Sequence, residues 1–337
     1  MEKTKESFGK KFLKYAKANP IVILLTVVCI IVGFTVDNFF SWSNFSNLCM
    51  NTSVRFIIAL GVSGCLITKG TDLSAGRQVG FAACMAGVLI QRGDYSGKLW
   101  KWCPEMSMIT VLLIVLALGA VFGLINGLII SRLNVPPFIA TLGTQTIIYG
   151  ISLVFTDAQP IGGFRAVFTT LITGRFGNAS GFHLPYLLFV AAFFGVLFWF
   201  IYNKTTHGKY MYAIGGNEIA AEVSGVNTRK TTTWIYITAG LMYAMAGYLL
   251  AAKSGGASAS LGNGYELEAI AGCTIGGVST TGGIGTVSGV LVGVLVFELL
   301  KIVLQFLGVN PYYNYIVQGL VIVVAVALDI RKYIAKK

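Results

Sequence analysis

At 337 residues, with 55% hydrophobic and only 11% charged side chains and a mean hydropathy of +0.75, the chain is too apolar for a soluble globular domain. Apolar runs recur almost end to end, so one polytopic membrane domain accounts for the length better than two soluble domains. The net charge of +12 does not point to nucleic acid, because the cations gather at the chain ends and in one loop, with no basic face carrying interleaved aromatics.

Residues 1–19 form a basic segment with Lys3, Lys5, Lys10, Lys11, Lys14 and Lys17, followed by an apolar run over 20–36. Positive charge ahead of a first span holds the N-terminus in the cytoplasm. No small-x-small cleavage site follows, so the run reads as a retained span. Nine further apolar segments lie at 54–68, 79–90, 108–131, 137–154, 185–202, 234–252, 267–278, 284–304 and 314–328. The shorter ones fall below the ~20 residues a helix needs to cross the hydrocarbon and read as broken helices completed by flanking residues. The expected fold is therefore an all-α integral membrane protein of about ten transmembrane helices, some broken, forming a single domain over 20–330. An even count puts both termini on one side. The tail 331–337, with Arg331, Lys332, Lys336 and Lys337, agrees with the N-terminus in choosing the cytoplasm. The same alternation places 203–233, with Lys204, Lys209, Arg229 and Lys230, in the cytoplasm and 155–184 outside.

The first polar interruption reads G-T-D-L-S-A-G-R-Q-V-G over 70–80. Asp72, Ser74, Arg77 and Gln78 thus sit between two apolar segments, where charge must face protein or a watery cavity. Irregular backbone at that depth is tolerated under the same condition, so this stretch reads as a lining element of a translocation route. In the segment from Pro137, Thr141, Thr144, Thr146 and Tyr149 place hydroxyls among apolar residues. They either satisfy the helix's own carbonyls or bind a polyol.

In the loop A-I-G-G-N-E-I-A-A-E-V-S-G-V over 213–226, Asn217 can cap a short helix on which Ile219, Ala220, Val223 and Val226 share an apolar face. Gly225 is placed to end it. Such a helix lies on the membrane surface or docks in a groove of a soluble partner, and its small Ala and Gly residues favour docking. Beyond it, Gly283, Gly285 and Gly289 give G-x-G-x-x-x-G without a surrounding βαβ unit, so the glycine-rich region 254–289 reads as broken membrane helices rather than a nucleotide site. Glu266 and Glu268 are expected near the outer face, where solvation is inexpensive. Gly76 to Gly80 and Gly285 to Gly289 repeat a G-x-x-x-G spacing suited to close helix packing. Glu298 and Lys301, three apart, can pair on one helical face, as a structural pair first and as a pathway or conformational switch in the alternative.

Six cysteines form no C-x-x-C pair, and His183 and His207 stand far apart. No Walker A loop, zinc signature, Ser/His/Asp arrangement or paired membrane carboxylates suited to a proton relay occur in the sequence. A non-catalytic subunit without cofactor or metal is the expectation, with energy supplied from elsewhere.

The segment 53–80, N-V-P-P-F-I-A-T-L-G-T over 134–144, the loop 213–226, Y-E-L-E-A-I-A over 265–271 and G-V-N-P-Y-Y-N-Y-I-V-Q-G over 308–319 together resemble the simple-sugar permeases of bacterial ABC importers, the ribose/galactose type. The likeness runs from about Pro20 to the C-terminus. The family's general pattern at the first motif is closer to G-I-D-L-S-V-G; Thr71, Ala75, Arg77 and Gln78 depart from it towards the galactoside branch. The resemblance implies a homodimeric channel-forming subunit of the inner membrane, with a partner ATPase below and a periplasmic sugar-binding protein above. Its cargo would be galactose or methyl galactoside, or glucose, with ribose or a nucleoside as the alternative; an ion-coupled secondary transporter is the reading outside the family. It further implies that Asp72, Ser74, Arg77, Gln78, Phe138, Thr141 and Thr144 line or gate the route. Gly215, Asn217, Glu218, Ala220, Ala221, Ser224 and Gly225 would couple to the ATPase.

Overall fold

A computed structural model describes residues 27, 30–177, 182–310 and 312–334. The basic segment 1–19, most of the first apolar run and residues 335–337 lie outside the described residues. The helices are α1 (Trp42–Ile67), α2 (Ala75–Ile90), α3 (Met108–Leu133), α4 (Pro137–Thr156), α5 (Ala166–Thr173), α6 (Tyr186–Lys204), α7 (Thr206–Gly216), α8 (Glu218–Val223), α9 (Thr228–Ser254), α10 (Tyr265–Ile275), α11 (Val287–Phe306) and α12 (Tyr313–Ile334). Between α5 and α6 a short antiparallel hairpin, β1 (Arg175–Gly177) with β2 (His183–Pro185), departs from the all-α expectation.

Among the described residues, six helices are long and apolar enough to cross a membrane: α1, α3, α4, α6, α9 and α11. Helix α2 and the Tyr315–Ala327 part of α12 are shorter apolar helices. The segment expected at 54–68 begins at Trp42 instead, capped by the Ser41 hydroxyl, which accepts from the Asn44 amide at 3.2 Å. Asn44, Asn47 and Asn51 make its first half look like loop. Their polarity is served locally: Asn44 donates to the Phe39 carbonyl at 2.7 Å, Asn51 accepts from Lys253, and Asn47 is exposed.

Helix α9 is the hub, packed on α1, α2 and α3. Its crossing with α3 is tight because glycines meet there. A Cβ on Gly119 would collide with the Gly240 carbonyl, and one on Gly123 with the Tyr236 carbonyl. Close backbone approach of this kind drives association where lipid offers no hydrophobic contrast. Helices α10 and α11 cross the same way, Gly272 and Gly276 facing Gly293 and Gly289.

Helix α10 has 11 residues, a rise of about 16 Å, and cannot cross the hydrocarbon alone. The chain before it supplies the missing length. Ala257 pairs with Ile161 of the loop after α4; then the Leu261 and Gly262 carbonyls lie against Gly80 and Gly76 of α2. Irregular backbone at this depth is covered by protein, as it must be. Facing outward are Ile139, Ile147 and Val154 of α4 and Phe193, Val196 and Phe200 of α6, all exposed, a surface suited to lipid.

Candidate functional site

The link between α1 and α2 carries the first site. Asp72, Ser74 and Gln78 are 1%, 0% and 2% exposed. An Asp72 carboxylate oxygen accepts from the Ser74 amide at 2.9 Å and the Ser74 hydroxyl at 2.6 Å. That hydroxyl oxygen in turn accepts from Gln78 Nε2 and from Asn126 Nδ2 of α3, each at 2.9 Å. Asp72 forms no ion pair among the described residues. Hydroxyl and amide donors alone support it. The Tyr243 hydroxyl of α9 faces the Asp72 carboxyl and the Cys65 thiol, while the Tyr236 hydroxyl of the same helix, the Gln78 Oε1 and the Asn126 Oδ1 are buried without hydrogen-bond partners among the described residues, leaving unused polar capacity inside the bundle.

Helix α4 is tied to the same link. The Thr141 hydroxyl accepts from the Leu73 amide at 3.1 Å and lies 2.8 Å from the Pro137 carbonyl and 3.2 Å from that of Thr71. Thr144 and Thr146 donate to the carbonyls of Thr141 and Leu142, each at 3.1 Å. The hydroxyls of α4 thus serve backbone groups in this structure. Phe138, at the start of α4, is 56% exposed.

Arg77 points elsewhere. Its guanidinium stands 4.1 Å over the Tyr149 ring and donates to Asn263 Oδ1 at 2.9 Å and the Ala259 carbonyl at 3.3 Å. The motif therefore splits. Asp72, Ser74 and Gln78 fasten the broken link from inside, and Arg77 joins α2 to α4 and to the loop before α10.

A second buried cluster lies between α1, α10, α11 and α12. Arg55 Nε stands 2.6 Å from Glu298 and 2.8 Å from Glu268, and Lys301 Nζ 2.6 Å from Glu268 and 3.3 Å from Glu298. Gln318 donates to Glu268 at 3.1 Å, and Arg55 sits over the Tyr265 ring at 4.8 Å. The expectation that Glu266 and Glu268 are solvated near the outer face is corrected here. Glu266 is buried against Gly76, and Glu268 is enclosed with two cations. Since α10 is covered on several sides, its carboxylate needs compensation that water does not supply.

The third region is α7 and α8. Asn217 caps α8, accepting from the Ala220 amide at 3.0 Å; Ser224 donates to the Ala220 carbonyl at 2.7 Å. Gly225 then turns the chain with φ +87°. Ile219 and Val223 are 76% and 85% exposed, and Glu218, Ala220 and Glu222 are exposed beside them. Two residues assigned to this surface face inward. Ala221 is buried, and Gly215 is pressed against the Ile67 carbonyl and Gly283, so neither offers a side to a partner. Lys69 reaches the Gly216 carbonyl at 3.5 Å, placing the α1–α2 link next to α7.

Sequence reasoning missed Asn126, Arg55 and the α9 tyrosines. Asn126 was findable as a lone amide in an otherwise apolar span. Among the described residues, no cluster of three or more His, Cys, Asp or Glu is arranged to hold a metal.

Residues 44–326 match the family described as "Branched-chain amino acid transport system / permease component". The chain is 48% identical over 331 residues to the galactose/methyl galactoside import permease protein MglC of Escherichia coli K12, covering 97% of this chain and 98% of that protein. It is 47% identical over 324 residues to the Haemophilus influenzae protein of that name, covering 95% and 96%. The ribose import permease protein RbsC of Bacillus subtilis is 36% identical over 311 residues, 91% of each chain. No solved structure matches.

Proposed function

The chain belongs to the family of branched-chain amino acid transport system permease components, and from that premise we propose that it is the membrane-spanning subunit of an ABC importer for galactose and methyl galactosides. It would lie in the bacterial inner membrane as a single domain of about ten spans over 20–330, with both termini in the cytoplasm. A second copy would complete the channel. A separate ATPase would drive it, and a periplasmic binding protein would deliver the sugar.

The observation that carries this reading is α8 in the loop 203–233, which the proposed topology puts in the cytoplasm. A six-residue helix, capped at both ends and carrying exposed Ile219 and Val223, has a shape to offer a groove and no apolar cover of its own. ATP binding shifts an inward–outward equilibrium only if the docked surface differs between states. The contact of α7 with the α1–α2 link supports a short path from docking to gate: Gly215 against Ile67, Lys69 to Gly216, then Asp72. Asp72, Ser74, Gln78, Thr141 and Thr144 would hold the gate's shape, with Arg77 and Phe138 facing the route. Asn217, Glu218, Ala220, Ser224 and Gly225 would form the ATPase contact around Ile219 and Val223, and Glu298 with Lys301 would remain a structural pair.

Reconstitution in proteoliposomes with the ATPase and binding protein tests this. ATP- and binding-protein-dependent galactose accumulation is expected, and Ile219→Asp with Val223→Asp should lower it by about tenfold or more, as loss of a central interface anchor does. ATP-independent uptake would instead identify a secondary transporter. Accumulation of ribose without galactose would keep the mechanism and change the cargo.

A further inference from the structure

At the end of the bundle that carries α7 and α8, the last turns of α3 and the first turns of α9 enclose an open cleft of about 710 Å³. Its mouth is lined by Arg132, Arg229 and Lys230, and its wall by Leu124, Leu128 and Trp234. All three cations are exposed. None forms an ion pair among the described residues, and no acidic residue lines the cleft. Leu128 and Leu124 lie one and two turns along α3 from Arg132, so the lining passes from cationic to apolar along the helix.

We propose that this cleft binds an anionic phospholipid, with the phosphate held by Arg132, Arg229 and Lys230 and an acyl chain lying along Leu124 and Leu128. Three like charges around one opening repel one another unless an anion neutralises them. Basic pockets between membrane helices recognise lipid head groups on these grounds. A free anion would use the rim but not the wall. A soluble acidic protein would reach the rim but could not follow the wall below the membrane surface. Trp234, one turn along α9 from Lys230 where the rim meets the wall, fits the headgroup level, where indole rings settle. The tight α3–α9 crossing lies directly behind the cleft, so a bound lipid would brace both helices. The inference is independent of the cargo and requires only that the chain sits in a bilayer.

The test uses the full chain purified in detergent. Phosphatidylglycerol, phosphatidylcholine and inorganic phosphate are added in turn, and retained lipid phosphorus and the thermal unfolding midpoint are read. Phosphatidylglycerol is expected to be retained and to raise the midpoint, while phosphatidylcholine and phosphate do neither. Each cation removed should weaken phosphatidylglycerol binding about fivefold, measured on Arg132→Gln, Arg229→Gln and Lys230→Gln singly and together. The single variants keep the test usable if the triple variant misfolds. Equal responses to phosphatidylglycerol and phosphatidylcholine would overturn the proposal, as would a phosphate response as large as the lipid response. Variants that lose the ATPase subunit while retaining lipid as the parent does would overturn it too, by assigning the rim to a protein interface.

Discussion

Two polar clusters are buried in this membrane domain, and they are built on opposite terms. The Arg55–Glu268–Glu298–Lys301 cluster holds two cations and two carboxylates within 3.3 Å contacts. The Asp72–Ser74–Gln78–Asn126 knot holds one carboxyl group supported only by hydroxyl and amide donors. The first joins α1, α10 and α11 through balanced charge, and the second fastens one broken link through hydrogen bonds. In a low-dielectric interior these devices fail differently. A balanced cluster is vulnerable to removal of any one member, because the remaining charges become uncompensated. A hydrogen-bonded knot loses only what it strands.

The sharpest break of that contrast is Arg55→Leu. Glu268 and Glu298 would then share Lys301 alone, and the expected cost is about 3–5 kcal/mol, read as a lowered unfolding midpoint or loss of monodisperse protein. The double variant Arg55→Met with Glu298→Leu leaves one cation facing one carboxylate. It should cost less than Arg55→Leu by itself. If the single variant is as stable as the parent, the cluster is hydrated and the comparison fails.

Smaller effects are expected in the knot. Asp72→Ala removes the acceptor of the Ser74 amide and hydroxyl, and Ser74→Ala that of the Gln78 and Asn126 amides, each variant costing about 1–3 kcal/mol, the scale of one stranded buried group. Asp72→Asn keeps an acceptor for Ser74 and should be milder than either. Uptake measured at equal membrane levels sharpens this. Asp72→Ala should reduce transport, and normal transport would remove Asp72 from the gate. An Asn variant as impaired as the Ala variant would mean that the carboxyl itself, not its hydrogen-bond shape, is required.

These clusters also mark how far the sequence could be read. The long apolar helices α3, α4, α6, α9 and α11 were legible because apolar residues dominate their sequences, as was the Asn217 cap before α8. The first half of α1 was not, since Asn44, Asn47 and Asn51 carry a loop's composition into a helix. The Glu298–Lys301 proximity follows from helical spacing. The bond from Arg55 to Glu268 joins residues 213 positions apart, and nothing local announces it. Likewise the facing of Ala221 was hidden, because a helix of six residues is too short for periodicity to separate its inner side from its outer one.

The smallest expected effect concerns a group that handles burial in a third way, by giving up its charge. His207, at the first turn of α7 outside the spans, lines a small cavity with Tyr202, Met211 and Ile235, and burial lowers its pKa from the ordinary 6.5. The unfolded chain therefore takes up the proton more readily than the fold does. By linkage, His207 contributes nothing to the pH dependence well above 6.5, where both states are neutral. Stability should fall as pH drops through 6.5 towards the lower native value, where the fold must either expose the ring or protonate it in place. Unfolding midpoints measured from about pH 8 to about pH 5 should decline at the acid end, and His207→Gln should flatten that decline. An unchanged slope in the Gln variant would show that His207 is not the source of the acid sensitivity.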